Sequence, residues 1–160
     1  MLLNLVLTNL LVAIIYMNVT MSPFSWNMIP KILINLSITE LLFTSAHGIL
    51  HCTEMGSKLH VMHHCCKYSS WSTNLIFHPL DMAAEFSGPV LSVLAMHLFW
   101  GDNNTLLVTV LIVHLWYALD HSALMKLPHT KHHKYIDNMY SIYVKKHIGY
   151  GSDLVKNKLK

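Results

Sequence analysis

At 160 residues the chain has the length of one domain. Yet 53% of its residues are hydrophobic and only 12% charged, with a mean hydropathy of +0.40, which excludes an ordinary soluble globule and points to an all-α integral membrane protein. The formal charge of +3 comes from eleven lysines without one arginine, set against eight acidic residues, and the aromatics of the basic tail form no stacking pattern, so it suits anionic lipid headgroups or solvent and not nucleic acid.

In chain order, residues 2–21 form the first expected membrane span; without a basic start or a small-residue cleavage site, it is taken as a retained helix and not a signal peptide. Ser22-Pro23 and Pro30 bracket a turn. A second span covers 29–51, a third 75–100 and a fourth 105–125, each near or above the roughly 20 residues needed to cross about 30 Å of hydrocarbon. Gly101-Asp102-Asn103-Asn104 makes the hairpin between the last two. Between the second and third spans, residues 52–74 leave the bilayer, with a helical His60 to His64 stretch followed by a polar loop over 69–74. Residues 126–160 form a second polar section of short helices. Ten of the eleven lysines lie in 58–67 and 126–160, which by the positive-inside rule puts both sections on the cytosolic face. Three glycosylation-type triplets begin at Asn18, Asn35 and Asn103, all in or beside the spans.

Those two cytosolic sections and the span ends beside them carry nine of the thirteen histidines: His47 and His51; His60, His63 and His64; His121; and His129, His132 and His133. On a helix, residues three or four apart share a face, so each cluster presents neighbouring imidazoles to one centre. Nine nitrogen ligands exceed one ion but fit two, with places left for water, oxygen or a carboxylate; a structural zinc needs only about four. Imidazole suits zinc, copper and nickel as well as iron, so ligand type alone leaves the metal open. Asp81 and Glu85, one turn apart at the start of the third span, together with Asp120 and Asn138, are candidates to orient these imidazoles through their second ring nitrogens. His97 and His114, set in apolar stretches, are expected to be interior hydrogen-bonding residues; His78, before Pro79, to cap the third span; and His147 to lie on the surface. Cys52, Cys65 and Cys66 suggest no disulfide framework.

The ordered set of motifs, His47-Gly-Ile-Leu-His51, His60-Val-Met-His63-His64 and His129-Thr-Lys-His132-His133, resembles the membrane-bound fatty acid hydroxylase and sterol desaturase superfamily over about residues 40–155. Phe77-His78-Pro79-Leu80-Asp81, Trp116 ahead of His121, and the run from His129 to Tyr140 look most like its sterol C5-desaturase branch. The resemblance implies four transmembrane helices under a cytosolic, histidine-rich dimetal cap in an endoplasmic-reticulum-type membrane. It also implies two iron ions, with zinc an alternative as purified, held by His47, His51, His60, His63, His64, His121, His129, His132 and His133. Those nine are the expected catalytic constellation, using O2 and electrons from NAD(P)H through a reductase and cytochrome b5. A sterol or fatty acyl lipid would be desaturated or hydroxylated, with Phe77, Phe86, Phe99 and Trp116 as channel-wall candidates. Ala123, Ser141 and Lys146-His147 depart from the family pattern at positions outside the metal ligands.

Three functions compete at this stage. Lipid oxidation leads, with a sterol desaturase ahead of a hydroxylase. A noncatalytic membrane protein keeping the metal site as a staple comes second, and a metal transporter using His97 and His114 third. The exposed apolar helix faces meet lipid or a second copy of the chain.

Overall fold

The computed structural model describes residues 23, 25–65, 76–100, 103–121, 128–135, 155 and 158–159. Among these the protein is helical throughout: α1 (Met28–Cys52), α2 (Glu54–His60), a 3-10 turn (His63–Cys65), α3 (Pro79–Trp100), α4 (Asn103–Asp120) and α5 (Pro128–Tyr135). The expected span over 2–21, the loop over 69–74 and Asn138, Ala123, Ser141, Lys146, His147 and Cys66 lie outside the described residues.

Helix α1 starts with Pro30 in its first turn, where a missing N–H costs no hydrogen bond, and runs for 25 residues. It stops at Thr53, whose extended backbone (φ −102°, ψ 150°) turns the chain. Thr53 closes one helix and opens the next: its N–H donates to Ile49 O at 3.0 Å, and its Oγ1 accepts from Gly56 N–H at 3.1 Å as the N-cap of α2. A Cβ on Gly56 would lie 2.7 Å from Leu50 Cα, so only glycine permits this corner. The helical stretch expected to run from His60 to His64 ends at His60; Val61 and Met62 make a turn, and His63 and His64 sit on the 3-10 element.

Helix α3 begins at Pro79, not at residue 75, with His78 Nδ1 accepting from Leu80 N–H at 3.3 Å, so His78 caps the helix as expected. Asn103 and Asn104, read from sequence as hairpin residues, belong to the first turn of α4, which ends at Asp120 and not near residue 125. Val155 is buried, and Lys158 Nζ donates to Glu54 O at 3.4 Å, placing Lys158 against the start of α2.

The long helices bury many polar side chains and expose many leucines. On α1 the buried stripe is Asn35, Thr39, Phe43, His47 and His51, spaced four apart, while Leu33, Ile34, Leu41 and Ile49 face outward. On α3 Asp81, Glu85 and Ser92 are buried and Leu91, Leu94, Leu98 and Phe99 exposed; on α4 Thr105, Thr109 and Asp120 are buried and Leu111 and Leu115 exposed. Leu50, Leu107, Val113 and Tyr117 are buried beside the polar groups, and the exposed leucines suit hydrocarbon better than water. Helices α1 and α3 are long and apolar enough to cross a membrane. His97 and His114, expected inside, are exposed on α3 and α4; in an apolar stretch the sequence pattern does not separate a lipid-facing position from a core one.

Gly88 and Phe43 set the height at which α3 rests on α1. A Cβ at Gly88 would come within 3.0 Å of Phe43 N and 3.1 Å of Leu42 Cβ. One turn to one side, Thr39 Oγ1 and Ser92 Oγ share a buried hydrogen bond of 2.6 Å; one and two turns to the other, Glu85 and Asp81 reach the histidines. Gly88→Val is therefore expected to force the helices apart, costing about 1–3 kcal/mol, and to weaken metal binding with it. Thermal unfolding in detergent and a chelator competition check both parts.

Candidate metal centre

All nine histidines of the clusters converge, and none is more than 2% exposed. They come from five places: His47 and His51 from the last turns of α1, His60 from the end of α2, His63 and His64 from the 3-10 turn, His121 from just past α4, and His129, His132 and His133 from α5. Their ligand atoms sort into one group of His47, His51, His64 and His132 and another of His63, His121, His129 and His133, with all ligand atoms of a group within 4.8 Å of one another. His60 joins the first group, its Nε2 lying 3.0 Å from His47 Nε2 and 3.1 Å from His64 Nε2. The result is a five-imidazole set and a four-imidazole set.

These short contacts are not a hydrogen-bond network. His47 Nε2 also lies 3.1 Å from His51 Nε2, which is itself 3.0 Å from His132 Nε2. A ring nitrogen carries one in-plane site, a hydrogen or a lone pair, and cannot serve two such neighbours at once. The second set makes the point more sharply. His63 Nδ1 lies 3.3 Å from Ile76 O and His121 Nδ1 3.1 Å from Tyr117 O; a carbonyl only accepts, so both Nδ1 atoms are donors. In the neutral rings both Nε2 atoms then carry lone pairs, and these face each other at 3.3 Å. A shared cation removes that repulsion. Nitrogens about 2.0–2.1 Å from one metal ion stand about 3.0–3.4 Å apart, the separation seen in both sets.

The rings are held neutral. Burial, reinforced by neighbouring imidazoles, keeps His60, His63, His64, His129 and His133 well below the ordinary histidine range, and burial pushes His121 down to about 4. Their lone pairs are thus available at neutral pH. For the metal-free chain the sign is fixed: the unfolded state takes up protons below about 6.5 while the folded rings resist them. Stability is intact above that pH and falls progressively as pH drops toward 4, by up to about 3 kcal/mol for His121 alone. Acid unfolding of chelator-treated protein, followed by circular dichroism, should begin near pH 6 and move to lower pH when metal is restored.

Carboxylates stand behind the imidazoles. His60 Nδ1–H donates to Asp81 at 2.9 and 3.1 Å to the two oxygens, the orienting contact anticipated for Asp81. Glu85 lies with its Oε1 3.5 Å from His60 Nδ1 and 4.0 Å from His47 Nε2, and with those two histidines it makes a third group able to hold a cation. Asp120 takes a different part from the one expected. Its carboxylate accepts the backbone N–H groups of His129 and Thr130, and Thr130 Oγ1 donates back to Asp120 O. It caps the N-terminus of α5 and touches no imidazole edge through these bonds.

Sequence reasoning missed the packing around the rings. Phe43 meets His47, Tyr117 and His129 edge-on, with ring centroids 5.1, 5.3 and 5.9 Å apart. Phe77 stacks on His63 at 3.9 Å. The signal was there for Phe43, four residues before His47 on one helix face. Of the channel-wall candidates, Phe86 stacks on Tyr117 at 5.7 Å, Trp116 packs against the Phe43 cluster, and Phe99 is exposed, away from the rings. Cys52 and Cys65 follow His51 and His64 directly in the chain.

No family model, curated protein or solved structure matches the chain.

Proposed function

We propose that this chain is a four-span membrane oxidoreductase of the fatty acid hydroxylase and sterol desaturase type, carrying two iron ions in a cytosolic cap and removing hydrogen from unactivated C–H bonds of a membrane lipid. The opposed lone pairs of His63 and His121, set within the five-plus-four division of buried imidazoles, carry the metal half of this reading. The ordered histidine motifs support the choice of reaction, and the outward-facing leucines of α1, α3 and α4 support a lipid substrate reached from the bilayer.

His47, His51, His60, His64 and His132 would hold one ion and His63, His121, His129 and His133 the other. Bound iron, drawing electrons from NAD(P)H through cytochrome b5 and its reductase, supplies the O2 chemistry that no side chain offers. The chain's own residues do the rest. Asp81 and the carbonyls of Ile76 and Tyr117 lock His60, His63 and His121 in the tautomer that points Nε2 inward. Phe43 and Phe77 press apolar rings against the histidines and keep water from them. A sterol desaturase leads over an acyl or sterol hydroxylase, the outcome being decided by where the lipid carbon is held.

The four-imidazole set also meets the ligand count of a structural zinc, which keeps a noncatalytic reading in view. Reconstitution with iron, reductase, cytochrome b5 and a mixed lipid extract separates the two. A lipid lighter by about two mass units marks a desaturase and one heavier by about sixteen a hydroxylase, the masses of two hydrogens and one oxygen. An unchanged lipid pool with both ions bound and electrons delivered favours the staple.

A further inference from the structure

The two imidazole sets differ in where along the chain their members originate, and the difference dictates an order of assembly. Four of the five members of the first set, His47, His51, His60 and His64, come from one short continuous stretch of chain. That stretch is fastened internally by Thr53, which ties the end of α1 to the start of α2, and is held from α3 by Asp81 bonded to His60. The four-imidazole set has no such core. His63 meets His121 across 58 residues of chain, and its other two members, His129 and His133, ride on α5. Helix α5 has eight residues, too few to be stable alone in water, so it requires outside restraint.

Beside the ring contacts of His129 and His133, two polar restraints on α5 are visible. One is His132, its single member in the first set, 3.0 Å from His51 across 81 residues. The other is the reciprocal clamp between Asp120 and Thr130 at its N-terminus. Because the clamp holds the first turn of α5, which carries His129, it acts on the four-imidazole set directly; the only α5 residue among the ligands of the five-imidazole set is His132, while His129 and His133 meet His47 and His64 by ring contact.

We infer that the chain loads its metals in sequence: a first ion binds the set built on α1 and the α2 corner, captures α5 through His132, and thereby completes the second site, which Asp120 holds in register. Asp120 is a positioning residue for the second metal. This rests on the metal reading above and is independent of the lipid chemistry.

The test is a titration of the full-length, metal-stripped protein in nanodiscs with zinc, read by native mass spectrometry, with hydrogen exchange followed over α5. The expected result is a one-ion species that accumulates before the two-ion species, with α5 amides gaining full protection on the second step. Asp120→Ala should leave the first affinity within about tenfold and weaken the second about a hundredfold, the scale found when support of a metal ligand is lost. Thr130→Val, which keeps the helix and removes the returning hydroxyl bond, should weaken the second step alone by a smaller factor. Simultaneous binding of two ions by the unaltered chain overturns the order, as does an Asp120→Ala protein that loses both ions together or neither. Failure of the unaltered chain to bind any ion overturns the metal reading itself, a result distinct from either.

Discussion

Replacing His63 by alanine is expected to abolish lipid oxidation and to strip the chain of one of its two metal ions. The ring is committed on every side: Nε2 faces His121 Nε2 at 3.3 Å, Nδ1–H donates to Ile76 O, and one face stacks on Phe77 at 3.9 Å. It is one of four imidazoles in its set, and the neighbouring set already uses His60 and His64, so among the described residues no further histidine joins the set to substitute. Turnover should fall by more than the 10–100-fold, roughly, that follows loss of a mere supporting group, and the metal count should drop from two ions toward one. His97→Ala is the matched control. That imidazole is exposed on α3 and outside all the metal-binding groups, so its removal should change neither quantity. Equal losses in the two variants would mean that histidine number and not this geometry matters.

The second large effect is expected at Asp81. Both of its oxygens lie within 3.1 Å of His60 Nδ1, and both residues are fully buried. Asp81→Ala leaves that N–H without its acceptor, at a cost of about 1–3 kcal/mol, and frees the ring to turn its Nε2 away from His47 and His64. Metal affinity at the five-imidazole site should fall about 10–100-fold. Asp81→Asn keeps an accepting oxygen in the same place and should lose far less. A chelator competition on the three proteins reads the series directly, and an Asp81→Ala protein with unaltered affinity would show that Glu85, 3.5 Å from the same nitrogen, suffices.

The nine histidines were legible in the sequence because their spacing of three and four is a helical repeat, and the structure brings every one of them into a single buried cluster. Their division was not legible. His60, His63 and His64 look like one helical motif, yet the turn at Val61 and Met62 sends His63 to one set and His60 and His64 to the other. Asp120 shows the same limit. Adjacent to His121 in sequence, it invites the role of orienting that ring, but its carboxylate serves the backbone of a helix several residues further on. The long helices were legible as apolar runs, while the direction each residue faces was not: the sequence carries little of the periodicity that would have placed His97 and His114 outside. The most direct clue to orientation was polar, the Asn35, Thr39, His47 and His51 stripe on α1, with Phe43 its one aromatic member.

Whether nine buried imidazoles hold two metal ions is read most directly by a metal count on the purified chain combined with X-ray absorption at the edge of the bound metal. Two ions per chain are expected, with a nitrogen-dominated first shell, imidazole scattering, and an average of between four and five such ligands. At most one ion per chain after full loading, or a shell dominated by sulfur from Cys52 and Cys65, would contradict that expectation.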